Sequence, residues 1–203
     1  MPHTLRLYTD FVCPFCFIAE ESTVPRLLRE FELELDWHGF ELHPGTPRGG
    51  LPLSALFPNV DLASMHTRTK RFAASFGVDE INPPNRLQNS RRALALAEYA
   101  KLCEKLPEFR QAALRAHWLA GKDLESGADL RAICASVGLD AALGLVAADD
   151  PQNLARVDEK QAVARAQGVS GIPTFVIERT RIVGCQPYEA LAEVASRAGV
   201  PRR

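Results

Sequence analysis

Apolar and polar residues alternate from Thr4 to Thr9, which predicts a short first strand. From Pro14 to about Phe31 the period lengthens. Phe17, Ile18, Val24, Leu27, Leu28 and Phe31 return at three- and four-residue steps, the spacing of a helix. Pro25 falls inside this run; it has no N–H to donate and its ring crowds the preceding turn, so it should kink the helix or split it in two. Leu33 to Phe40 alternates again and predicts a second strand. Strand, helix and strand in about 40 residues make a βαβ unit, with parallel strands and a right-handed crossover.

Pro44, Gly45, Pro47, Gly49, Gly50, Pro52 and Pro58 punctuate residues 41–59, so this stretch reads as a long loop. From about Leu62 to Gly168 the pattern is almost wholly helical. One helix is expected from Leu62 to Phe76, stopped by Gly77. After a break at Asn82-Pro83-Pro84-Asn85, another runs from Leu87 to Leu106 and is ended by Pro107. Phe109 to Ala120 closes at Gly121, and a helix opening at Ser126 or Gly127 ends near Val137 and Gly138. A short one spans Asp140 to Ala147, and Asp150 then caps a helix that starts at Pro151 and runs to Gly168.

The period returns to two at Thr174-Phe175-Val176-Ile177. Glu178-Arg179-Thr180 turns the chain, and Arg181-Ile182-Val183 pairs back. Pro187 to Ala198 is a final amphipathic helix before Gly199, and the Pro201-Arg202-Arg203 tail is expected to fray. Without its helical middle the chain reads β-α-β, then β-β-α. The fold class is therefore α/β, with a four-stranded mixed sheet formed by residues 1–60 and 165–203 and interrupted by a helical insertion at 61–164.

Composition changes this picture little. In 203 residues, 46% hydrophobic and 24% charged content suits a globular chain and excludes disorder. A net charge of -1 gives no sign of a nucleic-acid partner or a charged membrane surface. The Met1-Pro2-His3-Thr4-Leu5-Arg6 start has no basic region leading into an apolar one, so no signal peptide is read. No apolar run approaches the roughly 18 residues that span a bilayer, and a cytoplasmic location is expected.

Chemistry enters with the five cysteines, Cys13, Cys16, Cys103, Cys134 and Cys185, an odd count with only one close pair. Cys13-Pro14-Phe15-Cys16 opens the first helix. A helix N-terminus presents unpaired N–H groups and the positive end of the dipole, which favour a thiolate at Cys13. Pro14 suits the first helical position, where its missing N–H is not needed. The spacing can close a small disulfide ring, with Cys13 outward and Cys16 tucked into the helix. A dithiol of this kind points to redox exchange. Half a metal site and two ordinary core cysteines are the alternatives, but no second Cys-x-x-Cys or His-x-x-x-His offers further ligands. Cys103 and Cys134 read as buried and inert, His38 and His43 as solvent or loop residues, and His66 and His117 as solvated or half-buried. Trp37 and Trp118 read as core or groove lining.

Several stretches together carry a resemblance: Asp10-Phe11-Val12-Cys13-Pro14-Phe15-Cys16, Trp37 to Pro44, Gly168 to Ile177 with its Gly-Ile-Pro-Thr, and Gly184-Cys185-Gln186-Pro187. Over essentially its whole length the chain resembles a thioredoxin fold with a helical insertion, the DsbA family, and within it the FrnE-like branch. The resemblance implies that Cys13 is the nucleophile and Cys16 the resolving thiol. It implies that Pro173 is cis, with Ile172 before it, and that Pro14, Phe15, Ile172 and Pro173 face substrate. It also implies a thiol–disulfide oxidoreductase acting on protein disulfides or small thiols, with no tightly bound cofactor, glutathione as a co-substrate, and no nucleic-acid or membrane partner. Oligomeric state, redox partner and direction of electron flow stay open.

Departures matter as well. Phe15 stands where DsbA has a histidine that would stabilise the reduced thiolate, so a less oxidising couple is expected. Some FrnE-like proteins carry a second cysteine pair near the C-terminus, where this chain has Cys185 alone. The alternative is a glutathione-dependent isomerase or transferase acting on a small aromatic substrate. The related 2-hydroxychromene-2-carboxylate isomerase has serine at the first position of the motif, whereas both cysteines are present here.

Overall fold

In the computed structural model, which describes residues 3–203, the strands are β1 (His3–Thr9), β2 (Leu33–Gly39), β3 (Leu51–Pro52), β4 (Arg86–Leu87), β5 (Thr174–Ile177) and β6 (Thr180–Val183). The main sheet has the order β2-β1-β5-β6. β1 pairs in parallel with β2, Leu5 opposite Leu35, and antiparallel with β5, Leu7 opposite Phe175. β5 and β6 form the expected hairpin, turned at Glu178 with φ +53°. Leu5, Leu7, Phe175 and Ile177 are fully buried, which fixes the register, because a slip of one residue would turn each of them to the opposite face.

The first helical run is split, as Pro25 requires, but not at Pro25. Helix α1 (Pro14–Glu21) ends at Ser22, and α2 (Thr23–Glu30) begins immediately after it. Pro25 thus sits in the first turn of α2, where an N–H has no intrahelical acceptor to find, so the break falls ahead of the ring rather than at it. Pro107 corrects the reading in the same way. It does not end a helix but stands near the start of one.

The middle of the chain holds α3 (Leu53–Leu56), α4 (Leu62–Ser75), α5 (Arg91–Leu102), α6 (Leu106–Trp118), α7 (Gly127–Ser136), α8 (Ala141–Asp149) and α9 (Pro151–Ala166). Asp140 and Asp150 cap α8 and α9, accepting from backbone N–H groups at 2.8 to 2.9 Å. α5 is the centre of this block. Its buried Ala93, Ala95, Ala97 and Ala100 let α6, α8 and α9 pack closely around it. Glu98 is buried with them and is paired by Lys160 of α9.

Residues 41–59 are not one long loop. Gly50, at φ +67°, brings the chain so close to Leu87 that a Cβ would lie 2.1 Å from its carbonyl oxygen, and the small β3–β4 ribbon follows. The final helix α10 (Tyr188–Arg197) packs on α2. The tail does not fray: Glu32 N–H donates to the Pro201 carbonyl at 2.9 Å, and Arg203 N–H to that of Glu30 at 3.1 Å. Among the described residues, no helix is long and apolar enough to cross a membrane.

Candidate active site

β1 ends in a turn in which the Cys13 N–H reaches the Asp10 carbonyl at 3.3 Å. Cys13 is the N-cap of α1 in extended conformation, and Pro14 takes the first helical position. One turn on, Cys16 lies buried against β1. Both thiols are free. Tyr8, Phe40, Ala164, Val169 and Ile172 enclose the pair in a small apolar cluster. The Ile172–Pro173 bond is cis, as the resemblance implied, and the Ile172 carbonyl oxygen lies 4.0 Å from the Cys13 sulfur.

The two sulfurs are unequal. Burial, and then the neighbouring Cys13 sulfur, push the Cys16 thiol well above the ordinary thiol range, and a hydrogen bond with Thr9 offsets this only in part. Cys16 therefore keeps its proton in the dithiol state. Cys13 is not on the outer surface, as an outward sulfur would be; the residue is 1% exposed and opens into a cavity of about 490 Å³. Phe15 forms part of the rim, 43% exposed, with its ring edge-on to Phe72 at 5.3 Å. Gly171 and Ile172 form a further wall. The remainder comes from the middle of the chain: Leu53, Met65 and His66, then Arg86 and Leu87, then His117 and Trp118.

Trp118 anchors that last wall. Its indole N–H donates to the Phe11 carbonyl at 2.8 Å, two residues before Cys13, and its ring stacks on Phe17 at 6.0 Å. His117 corrects the sequence reading, since it is 1% exposed rather than solvated or half-buried. Its ring meets Trp118 edge-on at 4.9 Å, and Nδ1 lies 3.4 Å from the Lys122 carbonyl oxygen. His43 also lines the cavity, whereas His38 pairs with Asp36 on the sheet. Cys134 is buried as expected; Cys103 is exposed, because α5 ends there and the chain turns away through Glu104 at φ +56°. Cys185 is half-buried, and burial pushes its thiol up to about 12.

In sequence Asp10 reads as a turn residue before the cysteines, with no sign of its burial. Asp10 is 1% exposed; its carboxylate accepts from Leu42 N–H at 2.8 Å and leaves Oδ1 without a hydrogen-bond partner among the described residues. Burial raises it to about 6, and burial lowers His117 to about 4. These shifts oppose each other with pH. Between about 4 and 6.5 the unfolded chain protonates His117 and the native protein does not, so acidification through this window favours unfolding. Between about 3.8 and 6 the native protein holds a proton on Asp10 and the unfolded chain does not, so acidification favours the native state. His117→Gln should therefore make the protein gain about 3 kcal/mol relative to the parent as pH falls from 6.5 to 4. Urea titrations across that range check this; parallel stability curves for parent and variant would contradict it.

The pattern of the DSBA-like thioredoxin domain matches residues 4–195 of the chain. The uncharacterized protein YwbO of Bacillus subtilis is 28% identical over 199 residues, covering 95% of each chain. Among solved structures, a probable DsbA oxidoreductase of Streptomyces coelicolor superposes with a TM-score of 0.83 at 23% identity, covering 97% of this chain and 90% of that one. A 2-hydroxychromene-2-carboxylate isomerase gives 0.76 at 18% identity, covering 97% and 94%. The cytosolic disulfide reductase DsbM of Pseudomonas aeruginosa, solved with GSH, gives 0.69 at 19% identity, covering 96% and 99%. At these identities the structures speak for the fold.

Proposed function

Because the chain belongs to the family of DSBA-like thioredoxin domains, we propose that it is a thiol–disulfide oxidoreductase, acting through Cys13 and Cys16 on protein disulfides or on small thiols such as glutathione. The observation that carries this reading is the inequality of the two sulfurs: Cys13 caps a helix at the wall of a cavity, and Cys16 lies beneath it, buried and holding its proton. As a reductase, the Cys13 thiolate attacks one sulfur of the substrate disulfide. That bond breaks, one thiolate leaves, and a Cys13–substrate disulfide forms. Cys16 then gives up its proton and attacks the Cys13 sulfur, the second substrate thiolate leaves, and two electrons have passed from the dithiol to the substrate.

In this reading residues 1–60 and 165–203 are the redox domain, and 61–164 the helical insertion that supplies one wall of the groove. Pro14, Phe15, Ile172 and Pro173 face the substrate. No tightly bound cofactor is needed, and glutathione is a fitting co-substrate in the cytoplasm, where a reductase has its source of electrons. DsbM, which shares the fold, is a cytosolic disulfide reductase solved with GSH, in line with this reading.

A redox titration of the Cys13–Cys16 pair against glutathione, combined with insulin reduction, tests the proposal. A reversible two-electron couple with catalytic insulin reduction is expected. The apolar Phe15, packed on Phe72, brings no positive charge to the thiolate, so the potential should lie well below the about −120 mV of DsbA. A potential at or above that value would overturn the assignment of Phe15's effect, and no reversible couple at all would overturn the function.

A further inference from the structure

We propose that His117 reads the substrate in the Cys13 cavity: its Nε2 accepts a hydrogen bond from an O–H or N–H on an apolar-bodied small disulfide as that compound reaches Cys13. This rests on the reading of Cys13 as the thiol that engages substrate. The cavity has a volume suited to a small molecule and is lined mainly by apolar side chains, Val12, Leu42, Leu53, Met65, Trp118 and Ile172 among them. Among the described residues, no carboxylate lines it. Among the described residues the one permanent cation in the lining is Arg86, at the rim, which donates through one terminal nitrogen to the Gly49 and Gly50 carbonyls. An apolar body therefore meets matching walls here.

Two polar atoms stand out against those walls. His117 Nε2 and His66 Nε2 are both buried with no hydrogen-bond partner among the described residues, and both side chains line the cavity. Buried polar atoms in folded proteins are almost always paired, so an orphan at the wall of a cavity marks where a ligand group belongs. For His117 the role of the atom follows from the other side of the ring. Nδ1 faces the Lys122 carbonyl, which only accepts, so the ring proton is assigned to Nδ1 and Nε2 presents a lone pair. Burial keeps the ring neutral at working pH. The edge contact with Trp118, itself tied to the Phe11 carbonyl, holds the ring in place.

The test uses the full chain carrying Cys16→Ser, in which a disulfide formed at Cys13 is not resolved. Labelling rates of Cys13 by bis(2-, 3- or 4-hydroxyphenyl) disulfide and by diphenyl disulfide are followed by the mass of the Cys13 peptide after non-reducing digestion, which separates it from the exposed Cys103. Each ratio is normalised to the same pair reacting with free cysteine. At least one hydroxyl isomer should be preferred by about tenfold, the scale of one buried hydrogen bond. Adding His117→Phe should bring the normalised ratio to about one, and adding His117→Gln, which still offers an acceptor, should restore part of it. Equal normalised rates for all the disulfides would overturn the proposal even if His117→Phe failed to fold. So would a preference that survives His117→Phe. Failure of every probe to label Cys13 would instead overturn the assignment of Cys13 itself, and this proposal with it.

Discussion

Replacing Cys13 by serine is expected to lower insulin reduction by about a thousandfold or more, because a serine hydroxyl is no substitute for a thiolate in disulfide exchange. Cys16→Ser should behave differently. The first step survives, and substrate accumulates on Cys13 as a mixed disulfide visible by intact mass. The difference follows from the geometry. Cys13 opens into the cavity, while Cys16 is fully buried with its thiol pushed far up by that burial. Adducts trapped on Cys16 in the Cys13→Ser protein, or turnover within tenfold of the parent, would reverse the assignment of the two roles.

Arg110→Met should destabilise the protein by about 4 kcal/mol, because it leaves a buried carboxylate without its counter-charge. The carboxylate is that of Glu20, one turn beyond Cys16 on α1, with 2% of its side chain exposed. It accepts from the Thr9 hydroxyl at 2.8 Å, from the Trp37 indole at 3.3 Å and from Arg110. β1, β2 and α6 are thus all tied to the helix that carries the cysteines. With Arg110 gone, two neutral donors face a full charge in the interior. For a chain of 203 residues the loss corresponds to a fall in Tm of about 10 °C. Adding Glu20→Gln should recover most of it, since a neutral amide needs no counter-charge. Thermal unfolding of the single and double variants measures both. A loss under about 1 kcal/mol in Arg110→Met would contradict this account of Glu20 as a buried charge held by Arg110.

The sequence carried the four strands of the main sheet and the cysteine motif, because these depend on local period and local chemistry; the two-residue strands β3 and β4 were not legible in it. Thr174 to Ile177 is apolar and bounded by turn residues, and Asp150-Pro151 caps a helix in isolation as it does in the fold. Pro25 and Pro107 were legible as breaks but not in direction, since the same ring that stops one helix fits the first turn of the next. The cavity was not legible. Its walls come from segments far apart in the chain, and nothing local in Ala116-His117-Trp118 says that the histidine is buried while its neighbour is pinned to Phe11. The same holds for the tail. Pro201 and Arg203 look like a frayed end until the α2–β2 corner supplies partners for their backbone.

The position of β1 has a consequence for synthesis. One of its neighbours, β2, follows almost at once, but the other, β5, lies near the far end of the chain, with Tyr8 waiting for Thr174. At about 5–20 residues per second the ribosome leaves that edge of β1 open for on the order of 10 s. During that time the hydrogen-bonding groups along Leu5, Arg6, Leu7 and Tyr8 have no native partner. The nascent chain should therefore depend on holding chaperones until β5 has emerged and the sheet can close around the dithiol.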